Sequence, residues 1–127
     1  MARKAVVTGI GIISSLGDNA KEVLTSLKEC KSGISYSEEY AEKGFRSHVY
    51  GMPKIDLNDA LDRKNKRFMG DGAAYNYLSM EEAITDSGLS EEQVSNERTG
   101  LIMGSGGPST RNLIQAADTA RERGPKK

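Results

Sequence analysis

A chain of 127 residues is enough for one domain and leaves little room for two. Hydrophobic residues make up 36%, with five Tyr, two Phe and no Trp, and mean hydropathy is −0.57, which is lean for a self-sufficient α/β core. Acids and bases balance at 18 each, which excludes a global field toward nucleic acid or membrane; a lone cysteine excludes an internal disulfide and fits a reducing, cytoplasmic compartment.

Residues 4–10 are nearly continuously apolar and β-branched, as a strand buried on both faces should be. Gly9, Gly11, Ser14, Ser15 and Gly17 follow as a turn-rich loop. Asn19-Ala20-Lys21-Glu22 has the capping-box pattern, and Val23, Leu24 and Leu27 continue at helical spacing. This helix is expected to end near residues 28–31, with Gly33 as its stop signal. Residues 34–65 carry little periodicity beyond a weak alternation over 45–50 that Pro53 ends. A long helix is predicted over 66–87, with Met69, Ala73, Tyr77, Met80 and Ile84 along one face and Gly88 as its C-cap.

Ser90-Glu91-Glu92-Gln93 is a second capping box and opens a short helix. Residues 99–103 form a second candidate for a buried strand, running into the loop Gly104-Ser105-Gly106-Gly107-Pro108. Ser109 or Thr110 caps a last helix whose apolar face is Leu113, Ala117 and Ala120. Strands alternating with helices point to an α/β fold with a mostly parallel sheet. Two strong strands alone make a poor sheet, so more are expected, and the isolated segment is expected to be marginally stable.

Neither glycine loop makes a convincing nucleotide site. Gly9-Ile10-Gly11-Ile12-Ile13-Ser14 has Ser where a dinucleotide fingerprint has its third glycine, and its helix begins several residues too late. A tight turn leaving a buried strand accounts for it better. Residues 104–108 lack the Gly-Lys-Ser/Thr ending of a phosphate-binding loop. Cys30 sits near a helix C-terminus, where the dipole disfavours a thiolate, and His48 is the only histidine, so a multi-histidine metal site is excluded. Arg63, Lys64 and Arg67 can share a face at the start of the long helix, where the dipole makes cations unfavourable; that arrangement suggests an acidic partner.

Read together, residues 5–17, Ser32-Gly33-Ile34, residues 45–51, Leu61-Asp62-Arg63-Lys64 with Arg67-Phe68-Met69, and residues 100–107 resemble the N-terminal part of the β-ketoacyl-acyl carrier protein synthases. The Arg-Ser-His-Val and Asp-Arg-Lys stretches resemble the type I synthase of bacterial fatty-acid elongation. The resemblance covers essentially the whole chain. It implies that residues 1–127 are the N-terminal part of a longer enzyme with a thiolase-like, layered α-β-α-β-α fold that pairs as a homodimer.

It also implies an acyltransferase that carries out decarboxylative Claisen condensation with acyl- and malonyl-loaded acyl carrier protein, without cofactor, nucleic acid or membrane. The family's nucleophilic cysteine and its two histidines correspond to neither Cys30 nor His48, so no catalytic residue and no metal ligand is expected in this segment. By the resemblance, Arg63, Lys64 and Arg67 match basic positions that dock the acidic helix of the carrier, and Lys126 and Lys127 match a second basic patch in that role. Gly106 and Gly107 match a loop bordering the acyl pocket, with Pro108 where a third glycine is often found. A non-catalytic carrier-binding module is the alternative reading, and a nucleotide- or nucleic-acid-binding domain a more distant one.

Overall fold

The computed structural model describes residues 4–124 and is rich in short helices. In chain order the elements are α1 (Ala20–Lys28), β1 (Ser35–Tyr36), α2 (Glu38–Glu42), β2 (Val49–Tyr50), α3 (Leu57–Ala60), α4 (Arg63–Lys66), α5 (Asp71–Ser87), α6 (Glu91–Val94) and α7 (Thr110–Arg123). The named sheet is a two-stranded antiparallel one, pairing Ser35 with Tyr50 and Tyr36 with Val49. The weak alternation before Pro53 therefore yields a strand only at its end.

The two expected parallel strands are not paired among the described residues. Residues 4–10 and 99–103 run without a ladder, and Val6, Val7 and Ile102 are 78%, 81% and 96% exposed. The reason is that a strand is defined by its neighbours: β-branched apolar residues favour extended backbone, but a ladder needs a second chain segment within about 5 Å.

The segment 9–12 lies instead along α5. A β-carbon on Gly9 would fall 2.1 Å from the Ala83 carbonyl oxygen, and one on Gly11 would fall 1.8 Å from that of Ser79. Ile10 N–H donates to Asp86 Oδ2 at 2.9 Å and Ile12 N–H donates to Glu82 Oε2 at 2.8 Å. Two residues of extended chain advance about 6.6 Å and one helical turn about 5.4 Å, so the glycines fall on Ser79, Ala83 and Ser87 while the carboxylates between them take the amides. These glycines are present for close approach to a helix backbone, a different role from the tight turn expected from the sequence.

The expected helix over 66–87 is broken. α4 ends at Lys66 with Arg67 as its C-cap, and α5 starts anew after Gly70, which is extended at φ −75° and ψ 163° and offers no side-chain cap. Gly88 closes α5 in the left-handed region at φ 66°, as expected. On the expected face Met69, Tyr77, Met80 and Ile84 are half-buried, but Ala73 is exposed and its neighbour Ala74, 1% exposed, is the buried alanine. Leu57, Leu61 and Ala74 form the small core, with Ile55, Met69, Tyr75, Tyr77 and Leu78 against it. It sits between α3, α4 and the first turns of α5.

Caps follow the sequence closely. Asn19 Oδ1 accepts from Glu22 N–H at 2.9 Å, and the Glu22 carboxylate takes Asp18 N–H at 3.0 Å. Ser90 and Gln93 close a full capping box, and Ser109 rather than Thr110 is the N-cap of α7. The stop of α1 differs from expectation. Cys30, not Gly33, takes the left-handed position at φ 52°, with Cys30 N–H bonded to Leu27 O and Lys31 N–H to Ser26 O. That is the Schellman arrangement, with a cysteine where glycine is usual.

Accessible surface is 10998 Å², against about 6,600 Å² for a compact monomer of this mass. Leu24, Leu27, Leu113 and Ile114 stay at least half exposed on their helices. The amphipathic faces read from the sequence exist, but among the described residues they have little to pack against.

Candidate functional site

The basic run of residues 63–67 surrounds an open groove at the turn from α3 into α4. Asn58, Leu61, Arg63, Lys64, Lys66, Arg67 and Phe68 line it, and none of these is acidic. Asp62 shapes the turn. Its carboxylate accepts from Lys64 N–H at 2.8 Å and Asn65 N–H at 2.9 Å, so it is spent on capping α4 rather than on pairing with the neighbouring cations. Lys66 Nζ turns inward to Asn58 Oδ1. Leu61, 6% exposed, anchors the groove floor to the core.

Arg63, Lys64 and Arg67 are exposed and make no ion pair among the described residues. The guanidinium of Arg67 lies 5.5 Å from the centroid of the Phe68 ring, which is itself 80% exposed. Three cations and an apolar face converge here on water.

This placement corrects the electrostatic argument drawn from the sequence. The cations do not begin the long helix: α4 is a separate turn of four residues, and the first turn of α5 carries Asp71, the favourable sign. They are not misplaced on a dipole. What remains is a cluster of exposed cations around a groove with no acid in its lining.

The second glycine loop lies across the start of α5. Met103, Gly104, Ser105, Gly107, Pro108 and Ser109 face Gly70, Asp71, Gly72, Ala73 and Asn76 over an open depression. Gly107 lines it and Gly106 does not, although both are exposed. Ser105 Oγ donates to Gly107 O at 2.6 Å and shapes the loop. Gly70 is close enough to α7 that a β-carbon there would lie 3.1 Å from Ser109 Cβ. Arg111 reaches Asp71 at 3.4 Å between α7 and α5. Nothing in the sequence signals that Gly70 and Asn112 meet at this loop, because they lie 42 residues apart and neither belongs to a motif.

Cys30 is exposed at the end of α1. His48 packs edge-on to Tyr36 with ring centroids 5.9 Å apart, an aromatic contact of the hairpin. Among the described residues no three His, Cys, Asp or Glu side chains are grouped to hold a metal ion. No helix there is long and apolar enough to cross a membrane. Lys126 and Lys127 lie outside the described residues.

The family model for the β-ketoacyl synthase N-terminal domain matches residues 2–126. The chain belongs to that family. Membership implies a thiolase-like fold. Among curated proteins, the chain is 56% identical over 119 residues to 3-oxoacyl-(acyl-carrier-protein) synthase 1 of Haemophilus influenzae, covering 94% of this chain and 29% of that protein. It is 52% identical over 120 residues to synthase 1 of Escherichia coli, covering 94% and 30%. Identity to synthase 2 of Vibrio harveyi is 32%, over 98% of this chain and 30% of the relative. The ketoacyl synthase segment in hand thus spans under a third of the length of the curated relatives it matches.

Proposed function

We propose that this segment belongs to a 3-oxoacyl-(acyl-carrier-protein) synthase that elongates fatty acyl chains, and that it supplies part of the carrier-docking surface and of the rim of the acyl pocket. In that reaction the acyl group passes from the carrier thiol to a cysteine of the enzyme. Malonyl carrier protein then loses CO₂, and the electron pair left on its α-carbon attacks the enzyme thioester. The cysteine thiolate leaves and the 3-oxoacyl group remains on the carrier. The cysteine and the histidines that assist decarboxylation correspond to no residue of this segment. Its own part is recognition and positioning.

The observation that carries the docking role is the groove at α4: Arg63, Lys64 and Arg67 exposed together, with no acid in its lining. Opposite charge on a partner raises the encounter rate and sets orientation, and the effect is screened by salt. Lys126 and Lys127 extend the same role. Gly106 and Gly107 border the acyl chain, where lack of side chains leaves room. The layered fold, the homodimer and a cytoplasmic location complete the proposal. The synthase names of the relatives favour this over a free-standing carrier-binding module.

The test uses the full-length protein that carries this segment, with acyl- and malonyl-loaded carrier protein, and follows CO₂ release. Condensation is expected. The combined variant Arg63→Glu, Lys64→Glu, Arg67→Glu is expected to raise KM for the carrier about 10-fold or more, an effect that grows at low salt. No condensation by the unaltered protein would overturn the activity. An unchanged KM in the variant would overturn the docking role.

A further inference from the structure

One acid stands in the run 61–68, at a place that charge alone does not explain. Asp62 lies between Leu61 and Arg63, which both line the basic groove, yet Asp62 is not part of that lining. Its carboxylate is folded back on α4 instead. Oδ1 accepts from the Lys64 and Asn65 N–H groups at 2.8 and 2.9 Å, and Oδ2 accepts from the Asn65 side-chain amide. The backbone closes the same turn, with Lys66 N–H on Asp62 O at 3.0 Å and Arg67 N–H on Arg63 O at 3.3 Å. A helix of four residues has a single turn of hydrogen bonds and does not hold itself in water, so its shape depends on the cap. That shape sets the cations. Arg63 and Arg67 are four residues apart and share one side only while the turn is helical, and Lys66 is drawn away from them to Asn58.

We infer that Asp62 is a positioning residue for carrier docking: it acts through Arg63, Lys64 and Arg67, by fixing the turn that presents them together. This role rests on the docking surface proposed above. Two effects of the same carboxylate oppose each other. Its negative charge repels an acidic partner, and its hydrogen bonds hold the three cations in one array. The geometry favours the second effect, because both carboxylate oxygens are engaged by donors of the turn. Cations on a loosened turn still attract acids, but binding must then order the backbone and side chains that the cap had already ordered. The sign of the outcome separates the two effects. Removing the charge alone strengthens docking, whereas removing the cap weakens it.

The experiment measures the dissociation constant of full-length protein and acyl carrier protein across a salt series. It compares the unaltered protein, Asp62→Asn, Asp62→Ala, Asp62→Glu and the triple charge reversal, each checked for a cooperative unfolding transition. Asp62→Asn drops the charge and keeps an acceptor oxygen for the Lys64 and Asn65 N–H groups, so it is expected to bind as tightly as the unaltered protein or more tightly. Asp62→Ala drops the same charge together with the cap, and is expected to bind about 5-fold more weakly than Asp62→Asn. Its binding should also depend less steeply on salt, because dispersed cations meet fewer acids at once; a loss of overall stability would leave that slope unchanged. Asp62→Glu keeps the charge on a side chain too long to repeat those bonds, and is expected to bind more weakly than the unaltered protein. Binding by Asp62→Ala equal to or tighter than that of Asp62→Asn, with the charge reversal still disruptive, would overturn the positioning role and leave docking intact. Equal binding by Asp62→Glu and the unaltered protein would also overturn it. Should the charge reversal itself have no effect, the docking role falls.

Discussion

Gly11 lies so close to Ser79 that a β-carbon on the glycine would sit 1.8 Å from the serine carbonyl oxygen. No side-chain rotation relieves that contact, since both partners are backbone. Gly11→Ala must therefore push the N-terminal segment off α5. It is expected to destabilise the full-length protein by about 3 kcal/mol, at the upper end of what overpacking costs. Gly72→Ala is the control. Gly72 lies inside α5 with nothing within 4 Å of an added β-carbon, so alanine there is expected to be neutral or to stabilise by about 0.5 kcal/mol. Denaturant unfolding of both variants checks the pair, and equal effects would refute the packing account.

Glu82 joins three segments through one carboxylate. Its Oε2 accepts from Ile12 N–H and its Oε1 from Ala20 N–H, both at 2.8 Å, and Ala20 is the first residue of α1. The charge also sits at the positive end of that helix. Glu82→Gln retains one acceptor oxygen and replaces the other by a donor that faces an N–H. The expected cost is about 1–3 kcal/mol, the range for leaving a backbone donor without its partner. Hydrogen exchange supplies the specific readout: one of the two amides, Ile12 or Ala20, should lose protection in Glu82→Gln, and both should lose it in Glu82→Ala. Unchanged protection of both amides in Glu82→Ala would refute the account.

How far these relationships could be read from the sequence depends on their range. Caps are local, so Asn19, Ser90, Ser109 and Gly88 were legible from residue type and spacing. The break between α4 and α5 was not, because Lys66, Phe68 and Met69 keep the helical period across Gly70 and a glycine inside a periodic run is often tolerated. The function of Gly9 and Gly11 was hidden for a different reason: their partners are about 70 residues away, on a helix face of small residues with no motif of its own. Residues 99–103 read as a strand because strand chemistry is intrinsic, while pairing is not. At the groove, charge clustering was plain in the run 63–67. The exposure of Phe68 and its stacking with Arg67 needed three dimensions.

Acid should loosen the start of α1 and the turn into α3. The Glu22 carboxyl is held below its ordinary value by the Asp18 backbone N–H and then by the Asn19 side chain. Asp56 is held low by the Asn58 backbone N–H and then by the Asn58 side chain. For both groups the unfolded chain binds protons at a higher pH than the folded one. Their contribution is therefore complete above the ordinary carboxylate range of about 4 and is lost as pH falls below it through the folded values. Stability of the full-length protein measured from pH 6 down to pH 3 should decline, and Glu22→Gln should decline less steeply. An identical pH profile for Glu22→Gln would remove Glu22 from the account.

Cys30 offers the sharpest separation of structure from chemistry. It occupies φ 52° at the C-terminal cap of α1, where a β-carbon is unfavourable and glycine is preferred. Cys30→Gly should therefore stabilise the protein by about 1 kcal/mol, by relief of the left-handed conformation. Cys30→Val should destabilise it, since a β-branched side chain fits that region worst. The thiol itself is exposed and follows the last turn of α1. Condensation by the full-length Cys30→Gly protein should match the unaltered enzyme, with no change in the rate of CO₂ release. A variant that gained stability yet lost condensation would make Cys30 part of the reaction after all, and would overturn the assignment of this segment to docking and positioning alone.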